Sequence, residues 1–523
     1  MRLDIGIAGV GTVKNLREEG FDAIGFERSD WVGGLWQWST DTSQTTVLQS
    51  TRTNISKQRS CYQDYPFPEN VPNYPSGEDV AKYIQSYADH FGVSEHFRLG
   101  ASIERVERSG DEKQWLIRFN DKKSGPRTEL FDKVVVTTGA YCQAFTPKYP
   151  GIGETKIRVL HSQNFKEPND FAGKRVVVVG FSNTAADAAT DLSKVTTQTY
   201  ISHRTGARII TRTMNKGKPM DWKASRRITS LSQKVNARFP NLAAKMGSWF
   251  LERMMKKQWP FIQPAWNLSP APPIANKSPL INDEIISCLR AGTVKSARDI
   301  RRFIPDSKSL EFTDGVTLTD IDGVIFCTGY YFDWSIFASE ADPTAFAATE
   351  WDASPHQNGL RFPRLYQGLL SSRFPESLAF IGPVRGFSGS AFANYDLWSQ
   401  AVAQIWKGNY PLPSRAEMNA WCDRNYKSNL AQLQDWHLQK VGLIPQELEH
   451  WLNDAAGNGV NEILGSSWSW AAWKFWWNNR ALYKLIMTGI DTPFPYRLFE
   501  GRRKKWDGAA EAIYKVNGKK YVK

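Results

Sequence analysis

The chain has 523 residues, too many for one ordinary hydrophobic core, so we expect two or three lobes. The hydrophobic fraction of 41% is sufficient for globular burial, and the five scattered cysteines lack the spacing of a zinc site or a disulfide framework. The formal net charge of +13 suits a phosphate-rich ligand or an anionic membrane surface, whereas no basic tract carries a nucleic-acid-binding motif.

The N-terminal stretch IGIAGVGTVKNLREEGFDAIGFER predicts the turn, helix and second strand of a dinucleotide-binding unit. Gly6 and Gly9 occupy the second and third positions of a G-x-G-x-x-G fingerprint, and Glu27 stands where a carboxylate binds a ribose hydroxyl. The helix is expected over TVKNLREEG, ending on Gly20. Asp4 replaces the first glycine and only three residues precede it, so the first strand is expected to be clipped. A relic that no longer binds well is the alternative.

A second unit is predicted around VVVVGFSNTAAD, residues 176–187. Its β-branched run is typical of a strand buried on both faces, and the small residues after it form a helix whose N-terminus can hold a pyrophosphate. Gly180, Ser182 and Ala185 form the fingerprint, in which Ser182 either displaces the phosphate or donates a hydrogen bond to it. In the next strand Ser202 and Arg204 stand where an acid is usual, and a guanidinium there favours a 2′-phosphate.

An ordered set of further motifs resembles the flavin-containing monooxygenases, the N- and S-oxygenating class B flavoproteins. The set begins with GGLW at 33–36, TN-x-SK at 53–57 and YPFPE at 65–69. It continues through FDKVVVTTGAY (131–141), HSQNFKEP (161–168), GKRVVVVGFSNTAAD (173–187), SHRTG (202–206), SPLINDEI (278–285), DGVIFCTGYYFDW (322–334), LAFIGP (378–383) and TPFPYRL…KKWDGA (492–509). Each motif is modest, but together they cover nearly the whole chain.

The resemblance implies an α/β fold with two Rossmann-like dinucleotide-binding domains, the second inserted into the first. Residues 1–150 and 320–523 would form the FAD-binding domain, and residues 151–319 would form the NADPH-binding domain. A helical insertion is expected at about 219–300, where a substrate gate is natural. The cofactors implied are FAD and NADPH, and no metal site is implied.

The resemblance also assigns roles to particular residues. Asn54 would lie beside the flavin and hydrogen-bond near its C4a-hydroperoxide and the nicotinamide; on residue type alone, capping a turn is the alternative. His161, in a partial match to a family signature that ends at Phe165, is interpreted as an interdomain linker residue or, equally, as a satisfied structural histidine, and not as a general base. The other cofactor-binding residues implied are Gly6, Gly9, Glu27, Gly34, Leu35, Trp36, Thr53, Gly180, Ser182, Thr184, Ala185, Asp187, Ser202 and Arg204.

The implied reaction is the oxygenation of a nitrogen or sulfur atom in a small molecule by NADPH and O₂, as in N,N-dimethylaniline monooxygenases. Three alternatives stay open: Baeyer–Villiger oxygenation of a ketone, a degraded non-catalytic family member, and an uncoupled NADPH oxidase. No paired carboxylates or catalytic triad are found in the sequence, which suits a reaction carried by the flavin. The substrate is not specified by any motif.

The remaining features concern location and packing. Neither a signal peptide nor an apolar window of about 18 residues is present, so we expect an intracellular protein, cytoplasmic or peripherally membrane-associated. Met254, Met255 and Trp259 are expected to pack in a core. The tail SSWSWAAWKFWWNNRALYKLIM is predicted to bury its tryptophans against the main body, with contact at a membrane interface as the alternative. A homodimer is also compatible with the sequence.

Overall fold

The structure is a computed structural model that describes residues 6–214, 217–274, 276–384, 389–434, 441–442, 445–465 and 469–521. The helices are α1 (Ile7–Glu18), α2 (Gly77–His90), α3 (Asn183–Leu192), α4 (Arg226–Arg238), α5 (Pro240–Gln258), α6 (Ile285–Ala291), α7 (Thr349–Asp352), α8 (Ala391–Trp406), α9 (Arg415–Leu433), α10 (Pro445–Ala456), α11 (Trp470–Asn478), α12 (Arg480–Thr488) and α13 (Ala509–Val516).

The described strands all lie in the first 380 residues. They are β1 (Gly25–Glu27), β2 (Phe97–Leu99), β3 (Ala101–Arg108), β4 (Trp115–Asp121), β5 (Gly125–Phe131), β6 (Val134–Val136), β7 (Gln143–Ala144), β8 (Arg158–His161), β9 (Arg175–Val179), β10 (Gln198–Ser202), β11 (Ile209–Ile210), β12 (Leu280–Ile281), β13 (Val294–Ala297), β14 (Ile300–Phe303), β15 (Leu310–Phe312), β16 (Thr317–Leu318), β17 (Gly323–Phe326), β18 (Tyr330–Tyr331), β19 (Leu365–Tyr366), β20 (Leu370–Ser371) and β21 (Leu378–Phe380).

A five-stranded parallel sheet forms the centre of the second unit, in the order β13-β10-β9-β17-β8. The valines of β9 are buried, as expected for a strand covered on both faces. Helices α3 and α6 pack with this sheet through a shared core. The predicted strand and helix around Gly180 are therefore confirmed.

The first unit is built around α1, which begins at Ile7 and is thus five residues longer at its start than the sequence predicts. Strand β1 pairs in parallel with β2, and β6 pairs in parallel with β21 in a four-stranded sheet. Helix α8 packs along α1. The prediction for Asp4 and the clipped strand lies outside the described residues.

The element order refines the domain boundaries that we propose. Strand β17 pairs with β9 in the second sheet, so we propose that the second domain extends to Phe326. Helices α4 and α5 interrupt this unit between β11 and β12, whereas α6 and β13 belong to the sheet layer. We therefore propose that the helical insertion ends near residue 266.

The tail differs from the sequence prediction. The side chains of Trp470, Trp473 and Trp477 are exposed, so the prediction that the tail tryptophans are buried is wrong for these three. The reason is geometric: a nine-residue helix can bury one face only, and in α11 that face carries Ala472 and the half-buried Phe475. In the insertion, by contrast, Met255 is buried and Trp259 packs against the same core, as predicted. Among the described residues, no helix has the length and apolar character needed to cross a bilayer.

Candidate functional site

Each of the two predicted dinucleotide-binding units has a candidate nucleotide-binding site at the N-terminus of a helix, which we call its cradle. The first cradle lies at the N-terminus of α1. Gly6 caps this helix without any side-chain hydrogen bond, so no side chain competes for its first N–H groups. The Gly33–Gly34 turn lies directly against it: a Cβ built on Gly6 would be 3.5 Å from the Gly34 Cα atom. Gly33 and Gly34 have φ values of +129° and +56°, which favour glycine. Leu35 and Trp36 follow in a 3₁₀ turn, and Gly9 is buried inside the helix.

Glu27 ends β1 with its carboxylate almost fully buried. One oxygen accepts a hydrogen bond from the Ser29 N–H at 2.8 Å. The Ser29 hydroxyl donates to the Gln44 side chain at 2.8 Å, and the Gln44 carbonyl accepts from the Lys166 Nζ at 2.8 Å. This chain of bonds connects the predicted ribose-binding acid to the second unit.

Several buried polar atoms of the first unit have no partner within the part of the chain that the structure describes. They include the Oγ1 atoms of Thr53, Thr137 and Thr138 and the Nε1 atom of Trp38. An unsatisfied buried donor costs about 1–3 kcal/mol. Thr53 precedes Asn54, and the other two threonines follow the parallel strand β6, so a polar cofactor bound at this edge fits the donors present.

Asn54 is held by an arginine of the second unit. The Arg212 guanidinium donates to the Asn54 Oδ1 atom at 3.0 Å and to the Thr53 carbonyl at 3.0 Å. Its remaining arm pairs with the Asp283 carboxylate at 3.0 Å. Because the amide oxygen of Asn54 is occupied, its NH₂ group is directed elsewhere and is the part available to a ligand. The Asn54 oxygen therefore contacts Arg212 rather than a neighbouring backbone N–H.

The second cradle lies at the N-terminus of α3. Gly180 has φ +117°, and a Cβ there would be 2.6 Å from the Cys327 carbonyl oxygen, so only glycine fits. Ser182 is the N-cap residue and makes no capping hydrogen bond with its side chain. Ala185 is buried against the sheet, while Thr184 is exposed at the first turn. Backbone N–H groups and two hydroxyls thus face a potential phosphate.

Asp187 faces the junction between the two cradles. Its Oδ1 atom accepts a hydrogen bond from the Asn282 side chain at 2.8 Å. Burial raises the pKa of Asp187 to about 6, and the nearby positive charge of Arg212 opposes that rise. Arg212 therefore acts on Asn54 in one unit and on Asp187 in the other. Sequence reasoning missed Arg212, because no fingerprint position includes it.

The two residues predicted to select a 2′-phosphate behave differently. The Ser202 hydroxyl is buried and donates to the Arg298 carbonyl at 2.7 Å, so we do not propose it as a direct phosphate ligand. Arg204 is exposed at the end of β10. Burial, together with the charge of Arg204, lowers the pKa of Lys277 to about 8, which indicates two neighbouring cations. Lys277 was missed because it lies in a proline-rich link without a motif.

The segment after β8 links the two units. The His161 Nδ1 atom accepts from the Gln163 N–H at 3.1 Å, so Nε2 carries the proton and donates to the Gly329 carbonyl at 3.1 Å. Burial lowers the pKa of His161 to about 4, so the ring is neutral near pH 7. The Gln163 side chain reaches Thr45 at 2.8 Å, next to the Lys166–Gln44 contact. Gln163 and Lys166 make the contacts to the first unit, and His161 holds the turn behind them.

Comparisons with known proteins agree with this geometry. A family model described as flavin-binding monooxygenase-like matches residues 3–521. The chain is similar to monooxygenase aurF of Gibberella zeae, with 39% identity over 514 residues that cover 98% of this chain and 96% of the relative. It is similar to the N-oxide-forming dimethylaniline monooxygenase 4 of Rattus norvegicus, with 30% identity over 97% of this chain and 85% of the relative.

A solved structure shows the same fold. The S-allyl-L-cysteine S-oxygenase of Allium sativum superposes with a TM-score of 0.62 at 20% identity, covering 99% of this chain and 98% of that one. This likeness confirms the predicted α/β fold with two dinucleotide-binding units.

Proposed function

Because the chain belongs to the flavin-binding monooxygenase-like family and is a flavin-dependent monooxygenase, we propose that it uses FAD, NADPH and O₂ to oxygenate a nitrogen or sulfur atom of a small molecule. The observation that carries the proposal is the Arg212 bridge: Arg212 hydrogen-bonds to Asn54 of the first unit, and its charge acts on Asp187 in α3 of the second. Two nucleotide cradles that meet at one polar side chain suit hydride transfer between two bound cofactors.

The first cradle would hold FAD. The N-terminus of α1 and the GGLW turn would hold its pyrophosphate, and Glu27 would accept hydrogen bonds from the ribose hydroxyls. The unpartnered hydroxyls of Thr53, Thr137 and Thr138 would hydrogen-bond to the cofactor. When bound, the flavin supplies the oxygen-activating chemistry, which no protein side chain provides.

The second cradle would hold NADPH. The N-terminus of α3 would hold its pyrophosphate, with the Ser182 and Thr184 hydroxyls as further donors. Arg204 and Lys277 provide two positive charges for the 2′-phosphate, which distinguishes NADPH from NADH. The Lys166–Gln44 and Gln163–Thr45 bonds keep the two units closed around the site.

Asn54 would position the reacting groups. With its oxygen fixed by Arg212, its amide N–H groups are preorganised toward the space between the cradles. A preorganised donor in a water-excluded site is worth about 3–4 kcal/mol when charge develops in front of it. Arg212 is a positioning residue in this scheme, because it acts through Asn54.

The test is a purified protein assayed with NADPH, NADH and a panel of tertiary amines, thioethers and cyclic ketones. We expect a yellow protein that prefers NADPH and forms N-oxides or sulfoxides. A protein that neither contains nor binds FAD would refute the proposal and favour the non-catalytic alternative. Lactone formation from the ketone alone would establish Baeyer–Villiger chemistry instead. Peroxide equal to the NADPH consumed, with every substrate, would indicate an oxidase.

A further inference from the structure

A carboxylate of the second unit lies at the same edge of the sheet as Arg204. Strand β10 pairs in parallel with β13, and their last residues, Ser202 and Ala297, are aligned in that register. Arg204 and Asp299 each follow their strand by two residues, so both lie just past the carboxyl edge. The His203 N–H donates to the Ala297 carbonyl at 3.2 Å, which keeps the two segments together beyond the paired residues. Asp299 is therefore a neighbour of Arg204.

The electrostatic surroundings of Asp299 agree with this placement. Its Oδ1 atom accepts a hydrogen bond from the Tyr149 hydroxyl at 2.9 Å, which orients the carboxylate. Burial raises the pKa of Asp299, whereas the hydrogen bond from Tyr149 and the charge of Arg204 oppose the rise and favour the ionised form. Burial and the charge of Arg204 both lower the pKa of Lys277, which donates to the Gly206 carbonyl at 3.2 Å. One corner of the second unit thus holds a carboxylate, a phenol and two cations.

The carboxyl edge of these strands is the place where NADPH and NADH differ. In dinucleotide-binding units a carboxylate at the end of the second strand accepts hydrogen bonds from the adenosine ribose, whereas an arginine there accommodates a 2′-phosphate. Here Arg204 follows the second strand of the unit, β10, and Asp299 follows β13, the next strand in the sheet. The chain therefore carries both signs of charge where one nucleotide has a phosphate and the other a hydroxyl.

We propose that Asp299 is a specificity-determining residue that limits the preference of this protein for NADPH over NADH. The inference rests on the proposed function, in which the second cradle holds NADPH. The Asp299 carboxylate would repel the 2′-phosphate of NADPH and would accept a hydrogen bond from the 2′-hydroxyl of NADH. Arg204 and Lys277 act in the opposite direction on the phosphate. The ratio of the two affinities then reflects the balance between these cations and Asp299.

The proposal is tested by calorimetric titration of the full-length, FAD-loaded protein with NADP⁺ and with NAD⁺, a measurement that requires no turnover. Asp299→Asn removes the charge and keeps an oxygen that can accept from Tyr149. We expect the Kd for NADP⁺ to fall by about tenfold and the Kd for NAD⁺ not to fall, because only NADP⁺ carries the repelled phosphate. Asp299→Ser, which removes the charge with a smaller side chain, should change both Kd values in the same directions.

Two control variants separate the charge of Asp299 from other effects. Tyr149→Phe removes the hydrogen bond but keeps the carboxylate, so it should not strengthen NADP⁺ binding. Asp170→Asn makes the same change of charge at the amino edge of the sheet, where Asp170 pairs with Arg158 at the start of β8. Its Kd values should match those of the wild type. Flavin content should not change in any variant, because the first cradle is untouched.

A double variant distinguishes repulsion of the phosphate from an effect that passes through Arg204. If the Asp299 carboxylate acts on the phosphate itself, Asp299→Asn should also strengthen NADP⁺ binding when Arg204 is already replaced by alanine. Absence of that gain would mean that Asp299 only restrains the Arg204 side chain, and the proposal would be wrong.

Two further results would overturn the proposal. One is a pair of Kd values that Asp299→Asn leaves unchanged or changes equally. The other is the same gain in NADP⁺ affinity in either control variant. In both cases the wild type still binds NADP⁺ and the proposed function stands. A flavin-loaded wild type that bound neither nucleotide would instead refute the role of NADPH in the proposed function, and this inference with it.

Discussion

The two cradle helices are buried by different means. Helix α3 packs on its sheet through Ala185, Ala186, Ala188 and Ala189, all fully buried. Helix α1 instead buries Lys14 and Asn15. Small residues allow a helix to approach a sheet closely at no electrostatic cost. Buried charged and polar groups require partners, so α1 depends on residues elsewhere in the chain.

Those partners come from distant parts of the sequence. Lys14 pairs with Asp64 at 2.6 Å, and Arg497 pairs with the same carboxylate at 3.1 Å. Asn15 donates to Asp396 at 2.7 Å and accepts from Arg503 at 2.7 Å. The second cradle is thus a local structure, whereas the first is completed by the C-terminal segment. The first cradle should therefore be the more sensitive to changes far from its motif.

The largest expected effect follows from removing Asp64. Although burial opposes ionisation, Lys14 and Arg497 hold the pKa of Asp64 below its usual value. Asp64→Ala would remove the buried carboxylate that Lys14 and Arg497 share and leave them only the partly exposed Glu18 carboxylate, so we expect a loss of about 3 kcal/mol in unfolding free energy, together with loss of bound flavin. Urea unfolding and the flavin absorbance measure the two effects. Asp22→Ala, which removes the exposed partner of Arg17, is the control and should change little. A similar stability in both variants would contradict the idea that distant charges hold α1.

A backbone substitution tests the second cradle. Gly180→Ala adds a Cβ that would lie 2.6 Å from the Cys327 carbonyl oxygen, at φ +117°. We expect a loss of about 1–3 kcal/mol and much weaker NADP⁺ binding by calorimetry, with flavin content retained. Gly173→Ala is the control: Gly173 also has a positive φ, +69°, but a Cβ there would meet no atom within 4 Å. The difference between the two variants therefore measures the effect of the steric clash at Gly180. Loss of flavin from Gly180→Ala as well would show that the two cradles do not bind their cofactors independently.

The Arg212 bridge between the cradles can be broken on its own. Arg212→Met should leave Asn54 free to rotate and raise the share of NADPH that ends as hydrogen peroxide by about tenfold. Arg208→Met is a matched control, since Arg208 is equally buried in the same unit but pairs with Glu252. Asn54→Ala should give the same peroxide yield, and the double variant no more, because both act through one contact. Additive effects would show that Arg212 acts independently of Asn54.

The cofactor preference gives a smaller effect. Arg204→Ala should reduce the preference for NADPH over NADH by about tenfold, since one charged contact to the 2′-phosphate is lost. The measurement is kcat/KM for each nucleotide. Lys174→Ala should leave the ratio unchanged, because Lys174 lies just before the start of β9 and Arg204 lies just after the end of the parallel strand β10, at the opposite edge of the sheet. Loss of activity with both nucleotides alike would assign Arg204 to structure rather than to selectivity.

The sequence predicts the local parts of this molecule better than the distant ones. The Gly180 strand and helix were predictable because their residues are contiguous and their glycine position has a single geometric explanation. The roles of Glu27, inferred from its offset, and of Asn54, inferred from its motif, stay predictions. Arg212 and Lys277 were not predictable, because their roles depend on which loops the fold brings together. The prediction that the tail tryptophans are buried failed for a related reason, because composition does not tell which face of a helix packs against the rest of the protein.

The smallest expected effect is on the pH dependence of the unfolding free energy, to which His161 and Asp187 contribute with opposite signs. His161 has a pKa of about 4 against 6.5 when unfolded, so the unfolded state binds more protons between these values and stability falls as pH falls through them. Asp187 has a pKa of about 6 against 3.8, so the folded state binds more protons and stability falls as pH rises from 3.8 to 6.

Two asparagine variants should therefore move in opposite directions. From pH 7 to pH 5, His161→Asn should gain about 1–2 kcal/mol relative to the wild type, because the buried neutral ring no longer resists protonation. Over the same interval Asp187→Asn should lose stability relative to the wild type, because it lacks the proton uptake that favours the folded protein at low pH. Urea unfolding at both pH values measures the two differences. If the unfolding free energies of the wild type and both variants changed equally with pH, neither His161 nor Asp187 would be buried as the junction requires. That result would also contradict the electrostatic link between Arg212 and the second cradle.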